Sequence, residues 1–227
     1  MKRTIITLIL FLVALTGYTQ DWEYKAPDYK QIGEKVKEES SELYYPKLMK
    51  RYQDADTTMT LEERRHLYYG YIFEPDYSPY GRSDYTDSLK VLLNKPDMIS
   101  NDLDILLSFS DSVLAQDPFD LRVMNYQVYA YEQKNDSTSA AKQLARMNMV
   151  IDALVSSGTG LEKATAFYVI KVGHEYDLLN ILGMSFGGTQ RLIEHFDYLS
   201  VKENETGIEG LYFDISPSLE HLSKMFK

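Results

Sequence analysis

The sequence contains no cysteine, so disulfides and thiolate chemistry are excluded from its fold and its sites. It has a single tryptophan, and acidic residues outnumber basic ones to give a net charge of −10. An acidic chain is repelled by phosphate backbones and anionic lipid, so we expect no nucleic-acid partner. Long apolar runs are also missing beyond the N-terminal residues, so we expect no membrane insertion of the mature chain.

The N-terminal residues have the pattern of a secretory signal. A basic pair precedes an apolar run over residues 5–15, which is too short for a membrane-spanning helix. We predict a signal peptide over residues 1–19, with cleavage near Thr19 leaving Gln20 or Asp21 at the new N-terminus. An uncleaved anchor is the alternative. Cleavage would change the net charge from −10 to −12, because it removes two basic residues and no acid. The protein is therefore expected in the periplasm or outside the cell.

The mature chain is long enough for one self-sufficient domain over residues 20–227. A hydrophobic content of 44% is typical of a packed domain and not of a disordered chain. Helical periodicity prevails over about residues 28–156. Shorter segments rich in branched and aromatic residues prevail over about residues 160–216. We therefore predict an α+β fold.

Two amphipathic helices are predicted between residues 100 and 136. Apolar residues between 103 and 114 recur at three- and four-residue steps, which places them on one helical face. The first helix should end before Pro118, since a residue that precedes proline avoids the helical conformation. We expect Asp117 to cap the second helix and Pro118 to lie in its first turn.

The spacing that follows Pro118 resembles a degenerate tetratricopeptide-like unit. Met124 lies at the first large position, Val128 at the small-residue position and Tyr131 at the aromatic position. The match covers about one period of 34 residues, whereas a solenoid needs about three stacked repeats. Three consecutive amphipathic helices without a repeat are the alternative interpretation.

A small antiparallel β-sheet is predicted after the helices. Glycine becomes more frequent after residue 156, and turns are expected at Gly173-His174 and at residues 204–207. The predicted strands lie at about residues 166–172, 176–182, 196–202 and 208–215.

Several short motifs of the chain stand out as a set. They lie at residues 51–60, 67–70, 77–80, 117–119, 156–158, 174–177 and 210–213. Together they resemble one family of exported Bacteroidetes proteins, described as domain of unknown function 4919, and the resemblance covers nearly the whole mature chain. It implies an exported protein of a Gram-negative bacterium, and it implies no particular activity.

Tyrosine is the most unusual component, with 19 residues in all and a concentration of them within residues 44–85. A tyrosine ring offers an apolar face and a hydroxyl, which suits the binding of a peptide or protein partner. The alternative is that these rings fill the space between the helices and the loop at residues 74–87. The candidate contact residues are Tyr68, Tyr69, Tyr77, Tyr80 and Tyr85.

The sequence predicts no metal site and no cofactor. Asp54, Asp56 and Thr58 begin like a calcium loop, but Met59 stands at the glycine position and Arg65 at the bidentate glutamate position. The four histidines are scattered without metal-ligand spacing. The polar run at residues 174–177 is a turn or a histidine–acid pair without an evident nucleophile.

Two functions remain open on the sequence alone. The favoured one is a non-enzymatic interaction domain that binds a protein or peptide through its helical and aromatic surface. The alternative is a periplasmic hydrolase or carbohydrate-processing enzyme, because catalytic carboxylates converge only in the fold. Two carboxylates meeting in a deep cleft would favour the enzyme, and a shallow concave helical face would favour the interaction domain.

Overall fold

The structure is a computed structural model that describes residues 24–95 and 97–226. The predicted signal peptide and its cleavage site lie outside these residues. Within them, no helix combines the length and the apolar character that crossing a membrane requires.

The helices precede most of the strands, which confirms the α+β class. The described residues form nine α-helices: α1 (Tyr29–Lys35), α2 (Tyr45–Gln53), α3 (Leu61–Gly70), α4 (Tyr85–Leu93), α5 (Ser100–Leu114), α6 (Leu121–Gln133), α7 (Ser137–Val155), α8 (Gly173–Ile181) and α9 (Ser216–Met225). They also form four strands: β1 (Phe167–Tyr168), β2 (Phe186–Ile193), β3 (Phe196–Val201) and β4 (Gly210–Asp214).

Side-chain caps explain where several helices begin. Asp28 accepts a hydrogen bond from the Gln31 backbone N–H at the start of α1. Thr60 and Glu63 form the reciprocal capping box at the start of α3. The cap expected at Asp117 is wrong. Helix α6 begins three residues later, because Asp120 accepts from the Val123 N–H at 3.0 Å.

The four strands form one sheet in the order β1-β4-β3-β2. The pairs β2–β3 and β3–β4 are antiparallel, and the short β1 pairs in parallel with β4. The sheet is therefore mixed, although three of its strands follow the predicted antiparallel pattern. Strand β2 is an edge strand that the sequence analysis misses.

One predicted strand and one predicted turn are wrong. Residues 176–182 fall mostly within α8, and Gly173-His174 begins this helix instead of turning a hairpin. Leu178 and Leu179 are adjacent and both buried, which a half-exposed strand does not allow. These residues therefore form a helix because their side chains are buried on several sides, although their composition favours a strand.

The main hydrophobic core joins helices α2, α3 and α7 to the sheet and to α8. A smaller core lies between α4, α5 and α6. Helix α6 contributes to both, since Met124 packs in the main core and Val123 in the smaller one. The tetratricopeptide-like interpretation of this region stays a prediction.

Candidate functional site: a charged cleft beside the tyrosine-rich loop

Three of the five candidate tyrosines lie inside the main core. Tyr68 and Tyr69 have no exposed surface and Tyr77 has little. Their hydroxyls hydrogen-bond to buried groups: the Tyr69 hydroxyl donates to the Ala153 carbonyl at 3.1 Å, and the Tyr77 hydroxyl to the Ile170 carbonyl at 2.6 Å. These rings fasten α3 and its following loop to the core, so they offer no surface to a partner.

The other two candidates are accessible. Tyr80 is 48% exposed and Tyr85 is 40% exposed. Tyr85 also packs on Phe109, with ring centroids 5.4 Å apart. For Tyr80 and Tyr85, contact with a partner stays a prediction.

A buried hydrogen-bond chain runs from Tyr68 through His174 to the loop before α6. His174 Nε2 lies 2.9 Å from the Phe119 carbonyl, which can only accept, so Nε2 carries the proton and donates. Nδ1 then accepts from the Tyr68 hydroxyl at 2.7 Å. Burial and the nearby Lys171 charge lower the pKa of His174 to about 3. The imidazole is therefore neutral and forms part of the framework behind the site.

Two adjoining hollows form a cleft in front of this framework. The larger has a volume of about 550 Å³ and the smaller about 160 Å³. Three residues line both hollows and mark their junction: Thr86, Asp120 and Lys171. We call the two hollows together the charged cleft. Its walls are the loop and first turn of α4 over residues 76–90, the α5–α6 connection with the start of α6, and residues 171–177.

Ion pairs cross the charged cleft between segments that are distant in the sequence. Lys171 pairs with Asp117. Arg122 on α6 pairs with Asp177 on α8 at 3.1 Å. These pairs hold residues 171–177 against the two ends of the α5–α6 connection, and so they fix the width of the cleft.

The cleft walls perturb the acids and the lysine that line them. Burial raises the pKa of Asp120, and burial also raises the pKa of Asp177 with a further contribution from the Asp120 charge. The neighbouring Arg122 opposes both shifts. Burial lowers the pKa of Lys171. Charges in partly dehydrated surroundings interact more strongly with a ligand than charges in bulk water do.

A second polar cluster lies between α8 and the sheet. Glu175 is fully buried, and neither of its carboxyl oxygens meets a hydrogen-bond donor from the described residues. Its polar neighbour is the Asp197 carboxyl on β3, which receives a hydrogen bond from Gln190 Nε2 at 2.6 Å. Burial, together with Asp197, raises the pKa of Glu175 to about 9. Glu175 is therefore protonated at neutral pH and can donate its proton to Asp197.

The acids of the calcium-like run have other contacts. Asp54 pairs with Lys50 at 2.5 Å, and Asp56 receives hydrogen bonds from Arg51 Nε at 2.7 Å and from the Thr58 hydroxyl at 2.6 Å. Across residues 24–95 and 97–226, no group of three or more histidine and acidic side chains is arranged to hold a metal ion.

The sequence indicates the tyrosine-rich loop that forms one wall of the charged cleft, but it does not indicate the opposite wall. From the sequence, Asp117 is interpreted as a helix cap, and Asp177 as part of a polar turn or of a histidine–acid pair. Asp120, Arg122 and Lys171 carry no motif at all. The signal that unites them is their position in space, because they come from two separate segments, residues 117–122 and 171–177.

Residues 30–224 match a family described as Domain of unknown function (DUF4919). This match covers most of the chain, and the protein belongs to that family. No curated protein and no solved structure matches the chain.

Proposed function

We propose that the protein is an exported, non-enzymatic binding domain that holds a peptide segment of a partner protein in the charged cleft. Export is supported by the N-terminal basic pair and the apolar run over residues 5–15. The binding role is supported mainly by one observation, the continuity of the two hollows through Thr86, Asp120 and Lys171.

The two hollows differ in chemistry in a way that suits a peptide. The smaller one has Leu89, Val123 and Tyr126 among its lining residues, so it suits one apolar side chain. The larger one is lined mainly by charged and small polar groups, which suits backbone and polar side chains. An extended chain presents side chains of different character to neighbouring pockets.

The tyrosine-rich loop extends this surface beyond the cleft. Gly81 and Thr86 line the larger hollow, and the exposed rings of Tyr80 and Tyr85 directly precede them in the sequence. Exposed aromatic rings supply contact area with little loss of conformational entropy. The accessible part of the predicted tyrosine surface is thus adjacent in sequence to residues that line the cleft.

The hydrolase alternative is the weaker explanation of the same cleft. Asp120 and Asp177 both line the smaller hollow, and their charges interact. Each already has a structural partner, since Asp120 accepts from the Val123 N–H and Asp177 from Arg122. A carboxylate that caps a helix or pairs with an arginine is poorly suited to exchange protons with a substrate.

The proposal is tested by filling the junction of the two hollows. Purified protein is panned against a phage-displayed library of random linear peptides, and the enriched peptides are assayed on two tryptophan variants. Thr86→Trp places an indole at the junction and should abolish binding. Thr138→Trp makes the same change at an exposed position of α7 outside the cleft and should preserve it.

Equal binding of the enriched peptides to both variants would show that the contact lies elsewhere. Absence of any enriched peptide would also count against the proposal. Thermal midpoints of both variants, measured alongside, show whether loss of binding comes from unfolding.

A further inference from the structure

Some charged residues that line the larger hollow form ion pairs, and others do not. Both of its basic residues are engaged, Lys171 with Asp117 and Arg82 with Asp87. Asp76 and Asp120 also line this hollow, and neither forms an ion pair with any residue in the described part of the chain. The hollow therefore holds two carboxylates outside any ion pair, and the charge of Arg122, in the lining of the smaller hollow, acts on Asp120 without such contact.

We propose that the larger hollow is a subsite for a cationic side chain, so that the peptide bound in the charged cleft is basic. This inference rests on the proposed function and names the chemistry of its ligand. An ammonium or guanidinium group bound in this hollow could form the ion pair that Asp76 and Asp120 lack. An acidic group would instead add a further negative charge beside these two carboxylates.

The position of Asp120 strengthens the argument. It caps α6 through Oδ1, so the backbone fixes its carboxylate at the junction of the two hollows. Burial already disfavours its charged form and raises its pKa, and a cationic ligand would relieve this disadvantage. The overall charge of −10 also draws cationic ligands toward the protein.

The direct test uses two probes that differ only in charge. N-acetyl-lysine methylamide and its norleucine analogue are titrated into ¹⁵N-labelled protein, and amide shifts of the residues that line the larger hollow are followed by NMR. The lysine probe should bind about tenfold or more tightly than the norleucine probe, since only its ammonium can form charged hydrogen bonds with the carboxylates.

Two variants, each of which removes one negative charge, test which carboxylates cause the preference for the lysine probe. Asp120→Asn keeps a good helix-capping residue and Asp76→Asn keeps the side-chain shape, and each should reduce the preference for lysine. Asp97→Asn removes the same charge from an exposed position outside the cleft and should leave the preference unchanged.

Equal affinity for the two probes would overturn the inference. So would tighter binding of the corresponding glutamate probe, which would mean that Arg82 leaves Asp87 to hold an anion. These outcomes are separable from failure of the proposed function. Library peptides that bind in the cleft without lysine or arginine would contradict the cationic subsite alone. Lysine-probe binding without any peptide binding would contradict the peptide-binding role alone.

Discussion

Replacing Glu175 with glutamine should stabilise the protein, and increasingly so as the pH rises. The carboxyl is fully buried, no donor in the described part of the chain reaches either oxygen, and Asp197 lies beside it. Protonated Glu175 can donate to Asp197, and the amide of glutamine can donate in the same way. The side chain of the Glu175→Gln variant would thus resemble protonated Glu175 but stay neutral at every pH.

The magnitude follows from the difference in proton binding between the folded and unfolded states. The pKa of Glu175 rises from an ordinary 4.5 to about 9 on folding. Between these values the folded state holds a proton that the unfolded state releases, so unfolding becomes easier by about 1.4 kcal/mol per pH unit. The contribution of Glu175 to the free energy of unfolding is fully present at acid pH. By about pH 7.5 this contribution has fallen by on the order of 4 kcal/mol.

Urea unfolding at several pH values between about 5 and 8 measures the effect. The unfolding free energy of Glu175→Gln, relative to that of the wild type, should grow steadily across this range. Titrating groups that do not interact with Glu175 contribute equally to both proteins and cancel in the difference. Glu34→Gln, at an exposed position of α1, serves as the control and should give a difference that does not change with pH. A pH-independent difference for Glu175→Gln as well would refute the assignment of a shared proton to this pair.

Two further predictions concern the helical core and export. Met124→Ala should lower the unfolding free energy by about 2–5 kcal/mol, because this side chain is 1% exposed and contacts the Tyr52 hydroxyl through its sulfur. Gln133→Ala, on the exposed side of the same helix, should change it by less than about 0.5 kcal/mol, and equal effects in urea would contradict the helical register. Mass spectrometry of protein from the native cell should find an N-terminus near Gln20 or Asp21; an intact first methionine on soluble cytoplasmic protein would end the export proposal.

Helix beginnings could be predicted where the signal is local. Asp28 caps α1, and Thr60 with Glu63 caps α3, because a side chain there reaches backbone donors two or three residues ahead. The predicted start of α6 is wrong by three residues, since Asp117 and Asp120 are both good caps. In the structure Asp120 caps α6, whereas Asp117 pairs with Lys171, 54 residues further along the chain.

The regions predicted wrongly are those in which tertiary contacts outweigh local composition. Helix α8 looks like a strand because it contains tyrosine, leucine and isoleucine, yet Leu178 and Leu179 are both buried. Strand β2 shows the opposite case. It lies at the edge of the sheet and most of its residues are exposed, so it has no alternation of apolar and polar side chains to detect.

The charged cleft could not be read from the sequence for a related reason. The local sequence around Asp120 is typical of a helix cap, and nothing in that pattern suggests a second role for this residue. A carboxylate has two oxygens, however, and the cap uses Oδ1. What gives Asp120 a further role in the proposal is its position at the junction of two hollows, beside a lysine that is already paired. That arrangement depends on segments from residue 76 to residue 177 meeting in space, and no spacing within any one of them encodes it.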